Sequence, residues 1–161
     1  MKRLFSLLLS AILMSTILGC NTEESIELER KIKLSSAEIY ENILKDIVVT
    51  DEIGELPPDG LEDLYIGLDE TMLTDSIVML PLMSGQITEI AVFQVEDIKN
   101  IEAVTTAVEA RLSTIQNGGA FYPEQIDVAN EGQVLGREHY VILIVDPEVE
   151  EIVNNFNKLF E

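Results

Sequence analysis

The sequence has few of the residues from which disulfides, metal sites and nucleic-acid interfaces are built. Of its 161 residues one is cysteine and one is histidine, and there is no tryptophan. A single cysteine excludes an intramolecular disulfide framework and any cysteine-rich zinc or iron–sulfur site. Ten lysine and arginine residues stand against thirty aspartate and glutamate residues, a formal net charge of −20. Because a phosphate backbone is bound by clustered cations, this balance argues against nucleic acid as a partner.

The first twenty residues have the pattern of a secretory signal. Lys2 and Arg3 precede an uncharged, largely apolar run over residues 4–18, the order found in signal peptides. This run is too short to span a bilayer comfortably, since a spanning helix needs about 20 residues. The sequence therefore predicts export.

The run ends in Ile17-Leu18-Gly19-Cys20, which resembles the bacterial lipobox. Acylation of the Cys20 thiol would fix the protein to the membrane, and two or more acyl chains anchor it stably. An ordinary signal peptide with a chance cysteine, or an uncleaved anchor, are the alternatives. We predict a lipoprotein signal peptide at 1–19, a tether at 20–35, in which a short strand is also possible, and a single domain at 36–161. The domain would be lipid-anchored through Cys20 on the extracytoplasmic face of the cell membrane.

Apolar periodicity and capping residues predict the elements of this domain. Ser35 and Glu38 have the spacing of a capping box at the start of a helix. The predicted elements then follow in the order α-α-β-β-α-β-β-α, with strands at 76–83, 88–95, 133–135 and 140–145 and a long helix at 98–116. The simplest arrangement is a four-stranded, mainly antiparallel sheet packed by helices, in the α+β class. Pro81 predicts that the first strand either lies at an edge or ends there. Pro123 predicts a short helical turn, and Asp146 followed by Pro147 predicts the start of the last helix.

Several of these segments together resemble a known family. They are the lipobox at 17–20, the aliphatic helix that ends near Val49, the strand at 89–93, the helix that ends at 110–112, Tyr122-Pro123 and the strand at 140–145. The sequence is similar to small bacterial lipoproteins catalogued as domain of unknown function 4358. The resemblance implies export and tethering. It implies no activity and supplies no catalytic residues.

Glu89 and Arg111 form the most informative polar pair. The strand from Glu89 to residue 95 covers about 20 Å, and the helix from residue 97 to Arg111 returns about 21 Å. If the helix folds back on its own strand, the two side chains meet, and an arginine fork on a carboxylate is a strong and directional contact. We predict that they pair, either as a half-buried salt bridge that holds helix to sheet or as part of a ligand site.

Other chemistry-bearing residues give weaker indications. Nine acids fall within residues 51–75, and clustered carboxylates suit calcium, but no EF-hand spacing is present, so a solvated acidic face is the simpler interpretation. His139 lies in a predicted hairpin turn and cannot form a histidine cluster alone. No set of acid–base or nucleophilic groups can be assembled. We therefore predict no metal, no cofactor and no catalytic residue.

These observations favour a non-enzymatic binding module at the cell envelope whose partner is a protein or another envelope component. A small-molecule or cation-binding lipoprotein is the alternative, and a hydrolase with an acidic site is a third. A large exposed apolar area would favour the first. A concave pocket with convergent polar groups would favour the others.

Overall fold

In a computed structural model, which describes residues 32–161, one sheet carries helices on both faces. The strands are β1 Ile53–Glu55, β2 Leu73–Pro81, β3 Glu89–Val95, β4 Gln133–Arg137 and β5 Tyr140–Val145. The α-helices are α1 Ser36–Ile43, α2 Leu61–Leu64, α3 Ile101–Thr114, α4 Pro123–Glu131 and α5 Val149–Lys158. Short 3-10 turns at Pro58–Gly60, Glu70–Met72 and Ile98–Asn100 and a π turn at Ile115–Gly119 complete the order.

The strands follow the order β1-β2-β3-β5-β4, and every neighbouring pair is antiparallel. The predicted α+β class is confirmed. The predicted count of four strands is wrong because β1, inside the acidic loop, pairs with β2 from Ile53 opposite Pro81 to Glu55 opposite Met79. β2 is therefore not an edge strand. It ends at Pro81, the other outcome that the proline predicted.

Two interior strands, β3 and β5, are buried along their whole length. Alternate side chains of a strand point to opposite faces, so each strand supplies both cores. Ala91, Phe93, Val141 and Leu143 join the core under α2, α3 and α4, whereas Ile90, Val92, Ile142 and Ile144 join the core under α1 and α5. Cover on both faces explains why residues 140–145 are apolar without alternation.

The helix signals placed the start of α1 correctly, whereas α3 and α5 begin three and two residues after their predicted starts. Ser35 Oγ accepts from the Glu38 amide at 3.2 Å and the Glu38 carboxylate accepts from the Ser35 amide at 2.8 Å, which confirms the capping box. The predicted end of α1 near Val49 is wrong: α1 ends at Ile43, and Asp46 beyond it takes a positive φ of 66°. α4, for which Pro123 predicted only a short turn, continues for nine residues.

The first described residues lie at one end of the sheet, where β2 and β5 begin and β3 ends; we call this the entry end. Ile32 and Leu34, within the range predicted as a tether, pack against the core under α1 and α5. The Tyr140 hydroxyl donates to the Leu34 carbonyl at 2.7 Å, and the Ser36 amide donates to the Asp75 carboxylate at 2.8 Å. The predicted signal peptide and Cys20 lie outside the described residues. None of the helices between residues 32 and 161 has the length and apolar composition needed to cross a bilayer.

Candidate functional site

Glu89 and Arg111 meet at the other end of the sheet, where the turn between β2 and β3 lies; we call this the turn end. Glu89 opens β3 and Arg111 lies in the last part of α3. Arg111 Nη2 donates to Glu89 Oε2 at 2.6 Å, and its Nε lies 3.0 and 3.1 Å from the two carboxylate oxygens. The Glu89 side chain is 2% exposed and that of Arg111 is 19% exposed. The predicted contact is therefore observed, and a role in ligand binding stays a prediction.

Tyr65, which follows α2, is a third member of this group. Its hydroxyl donates to Glu89 Oε1 at 2.7 Å, and its ring packs edge-on against Phe93 with centroids 4.9 Å apart. Burial, and then the nearby Glu89 carboxylate, raise the pKa of the Tyr65 phenol well above its usual value. Sequence reasoning missed this bond. The available signal was that a buried tyrosine hydroxyl usually finds a polar partner.

Tyr65 and Arg111 both contact the Glu89 carboxylate, and they thereby connect α2 and α3 to β3. Glu89 Oε1 accepts from Tyr65 and Arg111, and Glu89 Oε2 accepts twice from Arg111. Burial lowers the pKa of Arg111, but its hydrogen bonds to Glu89 and the charge of that carboxylate outweigh burial and leave the pKa raised. Since both carboxylate oxygens are engaged by protein donors, the arrangement favours the structural interpretation: α2 and α3 are fastened to β3.

A second polar group lies nearby at the turn end, where β3 begins and β5 ends. Asp51 Oδ2 accepts from the amides of Ile87 and Thr88, each at 3.1 Å. Thr88 Oγ1 donates to Asp146 Oδ2 at 3.3 Å, and Asp146 Oδ1 accepts from the Glu148 amide at 2.9 Å. Asp146 is 1% exposed. Burial raises the pKa of its carboxyl, the two hydrogen bonds lower it, and the charges of Glu148 and Asp51 raise it further, so that the net direction is upward.

A shallow groove of about 310 Å³ opens beside this group. Its walls come from four parts of the chain: the segment around Asp51, the β2–β3 turn with Thr88, α4 with Tyr122 and Gln125, and Pro147 after β5. A groove with several polar side chains meets one condition for a ligand site, although it is small and open.

Next to the groove lies a group of exposed apolar side chains. We call it the apolar surface, and it consists of Leu82, Met83, Phe121, Tyr122 and Ile126. Gln125 joins its two segments, because its side-chain amide donates to the Gly85 carbonyl in the β2–β3 turn. The same side chain accepts through Oε1 from the amides of Phe121 and Tyr122 at 3.2 and 3.3 Å. The apolar surface is thus held in place by hydrogen bonds, although Phe121 is 79% exposed. Sequence reasoning did not find it.

The remaining candidates do not come together. His139 is buried, with Nδ1 3.1 Å from the Val95 carbonyl oxygen, and it precedes β5 as the hairpin prediction implied. Between residues 32 and 161, no three histidine, cysteine, aspartate or glutamate side chains converge as metal ligands. The acids of residues 51–75 are distributed from β1 through α2 to the start of β2.

Comparison of the chain with curated proteins and with solved structures gave no match. A family model matches residues 51–146, from Asp51 to Asp146, which is more than half of the chain. The matched region contains all five strands, the Tyr65–Glu89–Arg111 group and the apolar surface. The chain therefore belongs to the family described as domain of unknown function (DUF4358).

Proposed function

We propose that the protein is an exported, lipid-anchored domain on the extracytoplasmic face of the cell membrane, and that it is a non-enzymatic module that binds a protein of the cell envelope. Support for the anchor comes from the sequence: a basic start, an apolar run and a lipobox-like end at Cys20. A diacylated cysteine would hold the domain stably at the membrane.

The single observation that carries the binding role is the apolar surface. Its five side chains range from 41% to 79% exposed in a chain with a net charge of −20. Grouped exposed apolar residues with a polar surround are typical of protein interaction sites. Phe121 and Tyr122 supply the aromatic area that is enriched in such interfaces.

The anchor is tested in the producing bacterium with labelled palmitate and the Cys20→Ser variant. We expect label in the native protein and none in the variant, and we expect the variant to leave the membrane fraction. An unlabelled native protein, or a variant that stays with the membranes, contradicts the anchor.

The binding role is tested with a photo-cross-linking residue placed at position 121 and, as a matched control, at position 66. Ile66 is 81% exposed and lies outside the apolar surface, so it presents a similar side chain to solvent. We expect a discrete cross-linked protein from position 121 and none from position 66. Equal cross-linking from both positions, or none from either, contradicts a specific docking role.

The groove supports a second candidate, a small-molecule or cation-binding role, because it brings Thr88, Tyr122 and Gln125 together beside Asp51. Extracellular calcium sites bind at about 0.1–1 mM. A rise in melting temperature at about 5 mM calcium that is lost in Asp51→Asn would support it. An unchanged melting temperature would remove the calcium version. No described arrangement supports a hydrolase.

A further inference from the structure

We propose that the apolar surface docks a protein segment with an apolar centre and a cationic rim, and that it does so on the side of the domain turned away from the membrane. This inference rests on the proposed function and specifies the chemistry of the partner.

The first argument is the charge around the apolar surface. Glu52 lies beside the β2–β3 turn, where its carbonyl accepts from the Leu82 amide at 2.8 Å. Asp51 and Glu124 line the adjoining groove, and Asp127 follows Ile126 on α4. We call these four acids the acidic rim. The sequence has no lysine or arginine between residues 45 and 99 or between residues 111 and 137. Both segments of the apolar surface come from these cation-free ranges, so the complementary partner is cationic at its edge.

The same charges disfavour the other occupants. A second copy of the chain would place an acidic rim against an acidic rim, and like charges across an interface are unfavourable. An anionic lipid surface would be repelled in the same way. The exposed aromatic and aliphatic side chains supply apolar area, and the partner must supply the opposite charge.

The second argument is where the chain enters the domain. Residues 32–36 lie at the entry end, where Tyr140 holds the Leu34 carbonyl, whereas the apolar surface lies at the turn end. β3 runs between the two ends and its seven residues span about 20 Å. Because the proposed anchor at Cys20 joins the domain at the entry end, the turn end is the side presented outward.

Three synthetic amphipathic peptides test the charge rule. They share one leucine face about five helical turns long and carry lysine, glutamine or glutamate on the opposite face. Binding is measured by fluorescence anisotropy to the chain from residue 20 to residue 161 carrying Cys20→Ser. We expect the lysine peptide to bind at least about tenfold more tightly than the glutamine peptide and the glutamate peptide not to bind. Raising the salt from about 50 to about 500 mM should weaken the lysine peptide.

Matched variants separate a docking site from general attraction to an acidic protein. Glu124→Gln/Asp127→Asn removes two charges from the acidic rim, and Glu70→Gln/Glu102→Gln removes two exposed charges before β2 and at the start of α3, near the entry end. We expect the first pair to weaken the lysine peptide at least about fivefold, the second pair to have less than half that effect, and Phe121→Ser to abolish binding.

The outcomes distinguish this inference from the proposed function. Equal weakening by the two charge pairs, equal binding of the lysine and glutamine peptides, or no binding of the lysine peptide would overturn the cationic partner. Self-association of the chain on sedimentation, or binding to phosphatidylglycerol vesicles that Phe121→Ser abolishes, would overturn it in favour of a second copy or a membrane. If the two charge pairs weaken binding equally, or if the lysine and glutamine peptides bind equally, a specific cross-link from position 121 would still support the proposed function.

Discussion

Two buried carboxylates at the turn end illustrate two ways of accommodating an acid in a core. Glu89 and Asp146 are 2% and 1% exposed, and Glu89 stands opposite Val145, the residue before Asp146. Glu89 lies on the face of α2 and α3 and accepts from Arg111 and Tyr65. Asp146 accepts from the Thr88 hydroxyl and the Glu148 amide, and among the described residues no cation forms a salt bridge with it.

The difference teaches what a counter-charge contributes. Removing a carboxylate from water is unfavourable unless it is paired and hydrogen-bonded. An arginine fork compensates Glu89 and fastens two helices to the sheet in doing so. Asp146 has only dipolar partners, and burial together with neighbouring carboxylates raises its pKa. The first carboxylate therefore contributes to architecture, and the second is a titrating group beside the groove. The following substitutions test this contrast.

The largest effect is expected from Glu89→Leu, which leaves the Arg111 guanidinium in the core without its partner. Breaking a buried pair costs about 3–5 kcal/mol, and the 19% exposure of Arg111 places the expected loss near about 3 kcal/mol. Chemical denaturation measures the free energy of unfolding. The control is Glu89→Leu/Arg111→Leu, which we expect to be more stable than the single variant because no unpaired charge remains. If the double variant is no more stable than the single one, the fork is not the source of the effect.

Tyr65→Phe removes one donor from the same carboxylate and leaves the ring in place. A hydrogen bond to a charged group contributes about 1.5–3 kcal/mol, and since Arg111 still covers both oxygens we expect a loss of about 1.5 kcal/mol. The same substitution at the exposed Tyr122 should change the free energy of unfolding by less than about 0.5 kcal/mol. Equal effects at the two positions would show that the bond to Glu89 adds nothing.

Thr88→Val removes the hydroxyl that donates to Asp146 while keeping the branched shape. Because that bond is long, at 3.3 Å, we expect a loss of about 1 kcal/mol in the free energy of unfolding. Thr106→Val, at an exposed position on α3, should have a smaller effect. A larger effect at Thr106 would contradict a supporting role for Thr88.

Asp146→Asn is expected to have the smallest effect at neutral pH and a characteristic dependence on pH. The pKa of Asp146 is higher in the folded protein than its ordinary value, so the folded state holds this proton more tightly than the unfolded chain does. Its contribution to stability is present below the unfolded pKa of about 3.9 and is lost as the pH rises through the folded pKa. Asparagine does not titrate, so the variant should gain in melting temperature relative to the native protein between pH 3 and pH 7. A constant difference, or the opposite slope, would contradict a raised pKa.

Part of this arrangement was accessible before the structure. The lengths of β3 and α3 alone brought Glu89 and Arg111 to the same level, because strand and helix rise are fixed by backbone geometry. Tyr65 could not be assigned in the same way, since it precedes Glu89 by 24 residues and its approach depends on how α2 packs. Asp146 was read only as the start of α5, and its bond to Thr88 crosses from the end of β5 to the start of β3.

Short-range information in the sequence determined the α+β class, the capping box at Ser35 and Glu38, and the buried run of β5, because caps and periodicity act within a few residues. Tertiary structure alone decided β1, which has three residues and no apolar alternation and exists because β2 offers an open edge. It also decided the apolar surface, whose two segments are about 40 residues apart and are joined by the Gln125 amide at the Gly85 carbonyl. Contacts of that kind depend on which surfaces the folded sheet leaves uncovered, and no local pattern encodes this.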